Sequence, residues 1–168
     1  SEEIFSNITK DLQENLIVPV FFGSAEQDSG VRRLMKSLRH DAPDVATTAE
    51  RLGLDGSATV AQVFKSIYAE HVGKLTMVRV LAGNVSDGMT LNGTRVSGMN
   101  KMLGQKIDKV AKAGPGEVVA LGRMENVLTG QTLTEAGDRS IDWPTPLSPL
   151  FSFCIHTSQH GDEVKLSG

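Results

Sequence analysis

The chain has a single cysteine, Cys154, in 168 residues, which excludes an internal disulfide framework and any metal site built from several cysteines. That usage fits a reducing compartment. Aromatic residues are only 5%, whereas modules that stack single-stranded bases present exposed rings among basic residues. No apolar run approaches the roughly 20 residues needed to span a bilayer. Positive charge is not in excess: 17 Lys and Arg face 20 Asp and Glu, a net −3, so the chain as a whole is no nucleic-acid clamp, though local basic patches stay open. The four histidines lack a serine or cysteine partner at a recognisable spacing, and the carboxylates form no paired constellation, which argues against an independent enzyme. His71 has no second ligand at zinc spacing and reads as a surface side chain; no metal site is expected.

What is present is a globular composition, 39% hydrophobic and 22% charged. The start, Ser1-Glu2-Glu3-Ile4, is acidic, carries no signal-peptide pattern and lacks an initiator methionine, so the chain reads as a piece of a longer protein. Ile4, Phe5, Ile8 and Leu12 recur at helical spacing. Leu16 to Phe22 is a continuous apolar run expected to be a buried strand, short or at an edge because Pro19 lacks an N–H. Gly23-Ser24-Ala25 follows, then a helix from about Ser29 with Val31, Leu34, Met35 and Leu38 on one face and Arg32, Arg33, Lys36 and Arg39 on the other. Those cations read either as a solvated face or as a contact to RNA. Pro43 ends the helix, and residues 44–58 read as a linker with a short helix around Thr48 to Leu54.

Val60 to Tyr68 and Gly73 to Leu81 then read as β-strands, the second apolar on both faces as a barrel wall requires. Phe64 and Tyr68 share a face of a strand that must also supply core. Gly83 and Gly88 mark tight reversals, and Asn92-Gly93 marks a hairpin turn whose return strand is Thr94 to Ser97. Met89, Met99 and Met102 read as core filler. Lys106 to Lys112 alternates imperfectly, leaving a strand and a one-turn helix both open. Cys154, inside Leu150 to Ile155, reads as a small buried hydrophobe in a strand.

The ordered run Gly73-Lys74-Leu75, Arg79-Val80, Gly83, Val85, Gly88 and Leu91 resembles the second domain of translational GTPases, most closely elongation factor G. Ala113-Gly114 with Glu117 to Leu121, and Thr129-Gly130-Gln131-Thr132-Leu133, resemble two further strand and turn signatures of that family, with Glu117 and Gln131 where aspartate is usual. Ser24, Ala25, Gly30 and Val31 match the family's last nucleotide-contacting loop. The resemblance implies a guanine-contacting role for Gly23, Ser24 and Ala25, whose small side chains let loop amides approach the base. The phosphate loop Gly-x-x-x-x-Gly-Lys-[Ser/Thr], the Asp-x-x-Gly switch and Asn-Lys-x-Asp are all missing, so these residues by themselves are expected neither to bind GTP tightly nor to hydrolyse it.

The resemblance implies a mainly β fold with an α/β flank. Residues 1–43 would be the end of a GTPase domain, 44–58 a linker, 59–140 a closed antiparallel β-barrel, and 141–168 a Pro-rich connector into the first strand of a ferredoxin-like third domain, with a helix start at Asp162 to Leu166. It further implies a cytoplasmic, ribosome-associated parent that uses GTP and Mg, with no DNA or membrane partner. Lys101, Lys106, Lys109 and Lys112 are the densest basic stretch and would meet small-subunit ribosomal RNA if they share a side; otherwise they are solvated lysines guarding an exposed edge. Release-factor-recycling and ribosomal-protection GTPases share the architecture. A stand-alone β-barrel that binds nucleic acid or protein is the reading from a different class.

Overall fold

A computed structural model describes residues 2–69, 73–104, 106–137, 139–142, 144, 148 and 150–157. The chain divides into two compact units, Ser1–Ser57 and Ala58–Gly168.

The first unit holds three helices, α1 (Glu2–Gln13), α2 (Val31–His40) and α3 (Val45–Arg51). Asn15, at φ 60°, ends α1 in the left-handed conformation that asparagine tolerates, and Leu16 N–H closes the end on Asp11 O at 2.8 Å. Helix α3 starts earlier than the Ala/Thr pattern predicts. Asp44 supplies its N-cap, with Oδ1 accepting from Thr47 N–H at 2.8 Å. The run Leu16 to Phe22 is not a strand: it pairs with nothing among the described residues, and Phe22 is 91% exposed. A continuous apolar run signals burial on both faces, but a parallel strand takes its ladder partners from remote segments, and the described residues contain none.

The second unit is antiparallel throughout. Strands β1 (Val60–Ala69), β2 (Gly73–Ala82), β6 (Met99–Leu103), β7 (Lys106–Lys109), β9 (Val118–Gly122) and β10 (Thr132–Thr134) form one sheet in the order β10-β1-β2-β9-β6-β7. Two short ribbons complete it: β3 (Val85–Ser86) with β8 (Lys112–Ala113), and β4 (Thr90–Leu91) with β5 (Thr94–Arg95). Alternation on β1 and β2 places Ala61 opposite Val80 and Val63 opposite Val78. These join Val119, Leu121, Met99, Leu91, Val96 and Leu133 in one buried cluster. Met89 packs against it and Met99 is fully inside, as expected of core filler, whereas Met102 is half-buried and outside the cluster, which corrects the expectation for that residue.

A bulge after Val63 sets Phe64 and Lys65 against the single residue Met77. It turns Phe64 outward, and Tyr68, near the strand end, is 66% exposed, so neither ring serves the core as the strand's needs suggested. Gly83, at φ 62°, is required by close approach, since a Cβ there would lie 2.7 Å from Thr59 Cα. Asn92 (φ 47°) and Gly93 (φ 75°) make the expected hairpin turn. Residues 106–109 are a strand, so the helical alternative falls. Leu150 to Ile155 shows no ladder and lies exposed, Cys154 included, which corrects both the strand and the buried-thiol expectations. A run that is apolar on paper is buried only where another surface meets it. His71 and the Asp162 to Leu166 segment lie outside the described residues.

Candidate functional site

In the 23–30 loop, Ser24 N–H donates to Ser29 O at 2.9 Å and Ser29 N–H returns to Ser24 O at 3.0 Å, a reciprocal antiparallel bridge. The two flanks touch. A Cβ on Gly23 would sit 2.6 Å from Ser29 O, and one on Gly30 would sit 2.5 Å from Phe22 O, with Gly30 already at φ 78°. Only glycine fits either place. Gly30 is also the N-cap of α2, without a side-chain cap, so the loop feeds the helix directly. The bridge consumes the Ser24 backbone, whereas Ala25 N–H makes no hydrogen bond among the described residues. The Glu26 and Gln27 N–H groups are open in the same way, so the turn presents several unbonded amides beside small side chains.

The same unit contains an open groove of about 860 Å³. Its lining includes Ile8, Leu12, Ile17 and Val20 together with Arg33, Lys36 and His40 of α2 and Asp41 at the helix end.

The four candidate lysines are not gathered on one side. The β6–β7 register sets Lys101 opposite Asp108 and Leu103 opposite Lys106, but Asn100 opposite Lys109 on the other face. Lys112 belongs to the separate β3–β8 ribbon. Lys101 is paired with Glu117, and Lys106 with Asp108 at 2.8 Å. Lys109 and Lys112 have no ion-pair partner among the described residues. The Lys101 contact, and then the Gly114 N–H that donates to Glu117 Oε2 at 2.7 Å, hold the Glu117 carboxyl below its ordinary value. Glutamate thus closes the Gly114-Pro115-Gly116-Glu117 turn, with Glu117 N–H on Gly114 O at 3.1 Å.

Three side chains carry more than their sequence context advertised. Lys74 is buried, at 7% exposure, with Nζ donating to Glu125 O and Val127 O, each at 2.8 Å. Its inward placement follows the alternation that also buries Thr76, Val78 and Val80, so a lysine on the core register of β2 was a legible signal. Gln62 Nε2 donates to Gly130 O at 2.9 Å, and Gln62 Oε1 accepts from the Thr132 hydroxyl at 2.9 Å. Asn92 clamps the free side of β10, with Nδ2 on Thr132 O at 2.8 Å. No local pattern announces a contact that spans forty residues. Among the described residues no cluster of His, Cys, Asp or Glu is placed to hold a metal, and no helix is long and apolar enough to cross a membrane.

A family model described as elongation factor G domain 2 matches residues 58–136. The chain is 40% identical over 168 residues to an elongation factor G-like protein of Synechocystis, an alignment covering 98% of this chain and 25% of that one. It is 29% identical over 150 residues to the mitochondrial ribosome-releasing factor 2 of Drosophila melanogaster, covering 81% of this chain and 20% of that one. The fold is similar to that in a crystal structure of a Thermus thermophilus protein, with a TM-score of 0.65 and 22% identity over 99% of this chain and 26% of the other. The chain spans about a quarter of the length of the curated relatives it matches.

Proposed function

Because the chain belongs to the elongation factor G family, with its second domain at residues 58–136, we propose that it is the central part of a ribosome-associated translational GTPase. The carrying observation is the alignment with an elongation factor G-like protein across 98% of the chain, which takes in both units. On this reading residues 1–43 end a GTPase domain and 44–58 link it to a barrel at 59–140. Residues 141–168 open a third domain. The six-stranded antiparallel sheet β10-β1-β2-β9-β6-β7, the separate β3–β8 and β4–β5 ribbons and the Asn92 bonds to β10 support the barrel reading.

In the parent, Gly23, Ser24 and Ala25 meet the guanine edge, with the Ala25 amide among the open donors. Bound GTP with Mg would supply the energy of phosphate-bond cleavage, and its phosphate and metal ligands are not among these 168 residues. The second domain addresses small-subunit ribosomal RNA, with Lys109 and Lys112 carrying uncompensated charge for it. The compartment is the cytoplasm.

The resemblance implies GTP-driven translocation or a related ribosome step as the parent's activity, and the likeness to ribosome-releasing factors supports ribosome recycling as a second reading. GTP turnover by the intact parent, with and without ribosomes, tests the proposal. Strong stimulation is expected. Turnover indifferent to ribosomes, or failure of the present chain to pellet with small subunits, would return the barrel to the class of stand-alone binding modules.

A further inference from the structure

Among the described residues, a concentrated group of basic side chains lies on α2 of the first unit. At 3.6 residues per turn, Arg39, Arg32, Lys36, His40 and Arg33 fall within an arc of roughly 120° and span about 12 Å along the axis. The helix contains no acidic residue. All five side chains are exposed, and none has an ion-pair partner among the described residues. This contrasts with β6 and β7, where Glu117 and Asp108 neutralise Lys101 and Lys106. In a chain of net charge −3, four Arg and Lys on ten residues, with Asp41 at the C-cap as the adjoining carboxylate and no ion pair to it, make a concentrated cationic surface.

Val31, Leu34, Met35 and Leu38 occupy the opposite side of the same helix. Arg33, Lys36 and His40 also border the groove described above, yet all five side chains of the arc remain exposed, and burying its four Arg and Lys charges under whatever covers the apolar stripe would cost more than the stripe returns.

We propose that the α2 arc is a docking surface for the phosphate backbone of RNA. The surface is a row of guanidinium and ammonium groups with no aromatic ring among them, suited to reading successive phosphates and carrying no base specificity. RNA is the polyanion chosen because the inference rests on the ribosome-associated reading above.

The test uses the full chain and a fluorescein-labelled 20-nucleotide oligouridylate, with affinity measured against salt concentration. The variant R32Q/R33Q/K36Q/R39Q should bind at least about tenfold more weakly, with a salt slope smaller by about 2 to 3, at roughly 0.7 per lost single-strand phosphate contact. The variant R32K/R33K/R39K, which keeps the charge, should retain binding. All substituted positions are exposed, and an unchanged circular dichroism spectrum verifies the fold. Binding by the glutamine variant equal to that of the unsubstituted chain overturns the proposal. So does displacement of the RNA by polyglutamate at equal charge, which would assign the arc to an acidic protein. Pelleting with ribosomal subunits is measured in parallel. Oligouridylate binding through α2 without subunit binding would sink the ribosome reading alone, and subunit binding with an inert α2 would sink this inference alone.

Discussion

Asn92 does for Thr134 what a neighbouring strand would do. Its backbone N–H donates to Thr134 O at 2.9 Å, and its side-chain Oδ1 accepts from Thr134 N–H at 2.9 Å. One residue thereby occupies both ladder groups of Thr134 on the side of β10 away from β1, while Nδ2 takes the Thr132 carbonyl. An edge of unpaired backbone groups would otherwise face solvent.

Asn92→Ala should cost about 2–3 kcal/mol, two side-chain hydrogen bonds at about 1 kcal/mol each plus the strain of alanine in left-handed backbone. Asn92→Gly removes the bonds without that strain and should cost about 2 kcal/mol. Urea unfolding of the chain measures both. An alanine variant as stable as the original would show that the clamp contributes nothing.

Lys74→Met keeps the aliphatic stem but strips the ammonium from the Glu125 and Val127 carbonyls. With two carbonyls at the end of the core left unsatisfied, a loss of about 2–4 kcal/mol is expected, read as a lower urea midpoint at unchanged slope. A neutral result would mean that water replaces the ammonium freely there.

Glu117 links stability to acidity. Its folded carboxyl titrates below the ordinary 4.5, held there by Lys101 first and the Gly114 amide second. A carboxylate lowered on folding stabilises the protein above its unfolded value, and this contribution disappears as pH falls through the folded value. Glu117→Gln should therefore flatten the stability profile as pH falls through 4.5 and below, and Lys101→Met should change it in the same direction. An identical slope in all three proteins would remove Glu117 from the acid response.

Gly30→Ala places a Cβ 2.5 Å from Phe22 O at a backbone φ of 78°. The loop must open, breaking the Ser24–Ser29 bridge and uncapping α2. Faster amide exchange at Ser24, Ser29 and Leu34, with β1 and β2 unaffected, is the expected signature. Uniform protection would mean that the loop accommodates a side chain.

Local rules reached far into the second unit. Alternation along β2, the Asn92-Gly93 turn and the glycine reversals were all legible, because strand period and positive-φ turns depend on neighbouring residues alone. The Phe64 bulge was not, since two residues facing Met77 is a property of a pair of strands. The same holds for the lysines. Their density was visible in the chain, whereas the β6–β7 register alone sent Lys109 to the opposite face from Lys101 and Lys106.

The amino-acid sequence by itself determined the family, the antiparallel character of the second unit, the helices and the opposed apolar and cationic faces of α2, for these follow from residue order and short-range geometry. Tertiary structure alone decided that Leu16 to Phe22 and Leu150 to Ile155 carry no ladder, that Cys154 is exposed, that Glu117 neutralises Lys101, and that Lys74 and Asn92 close distant backbone. Burial, ion pairing and ladder closure each require a second surface, and which segments meet is settled only when the whole chain has folded.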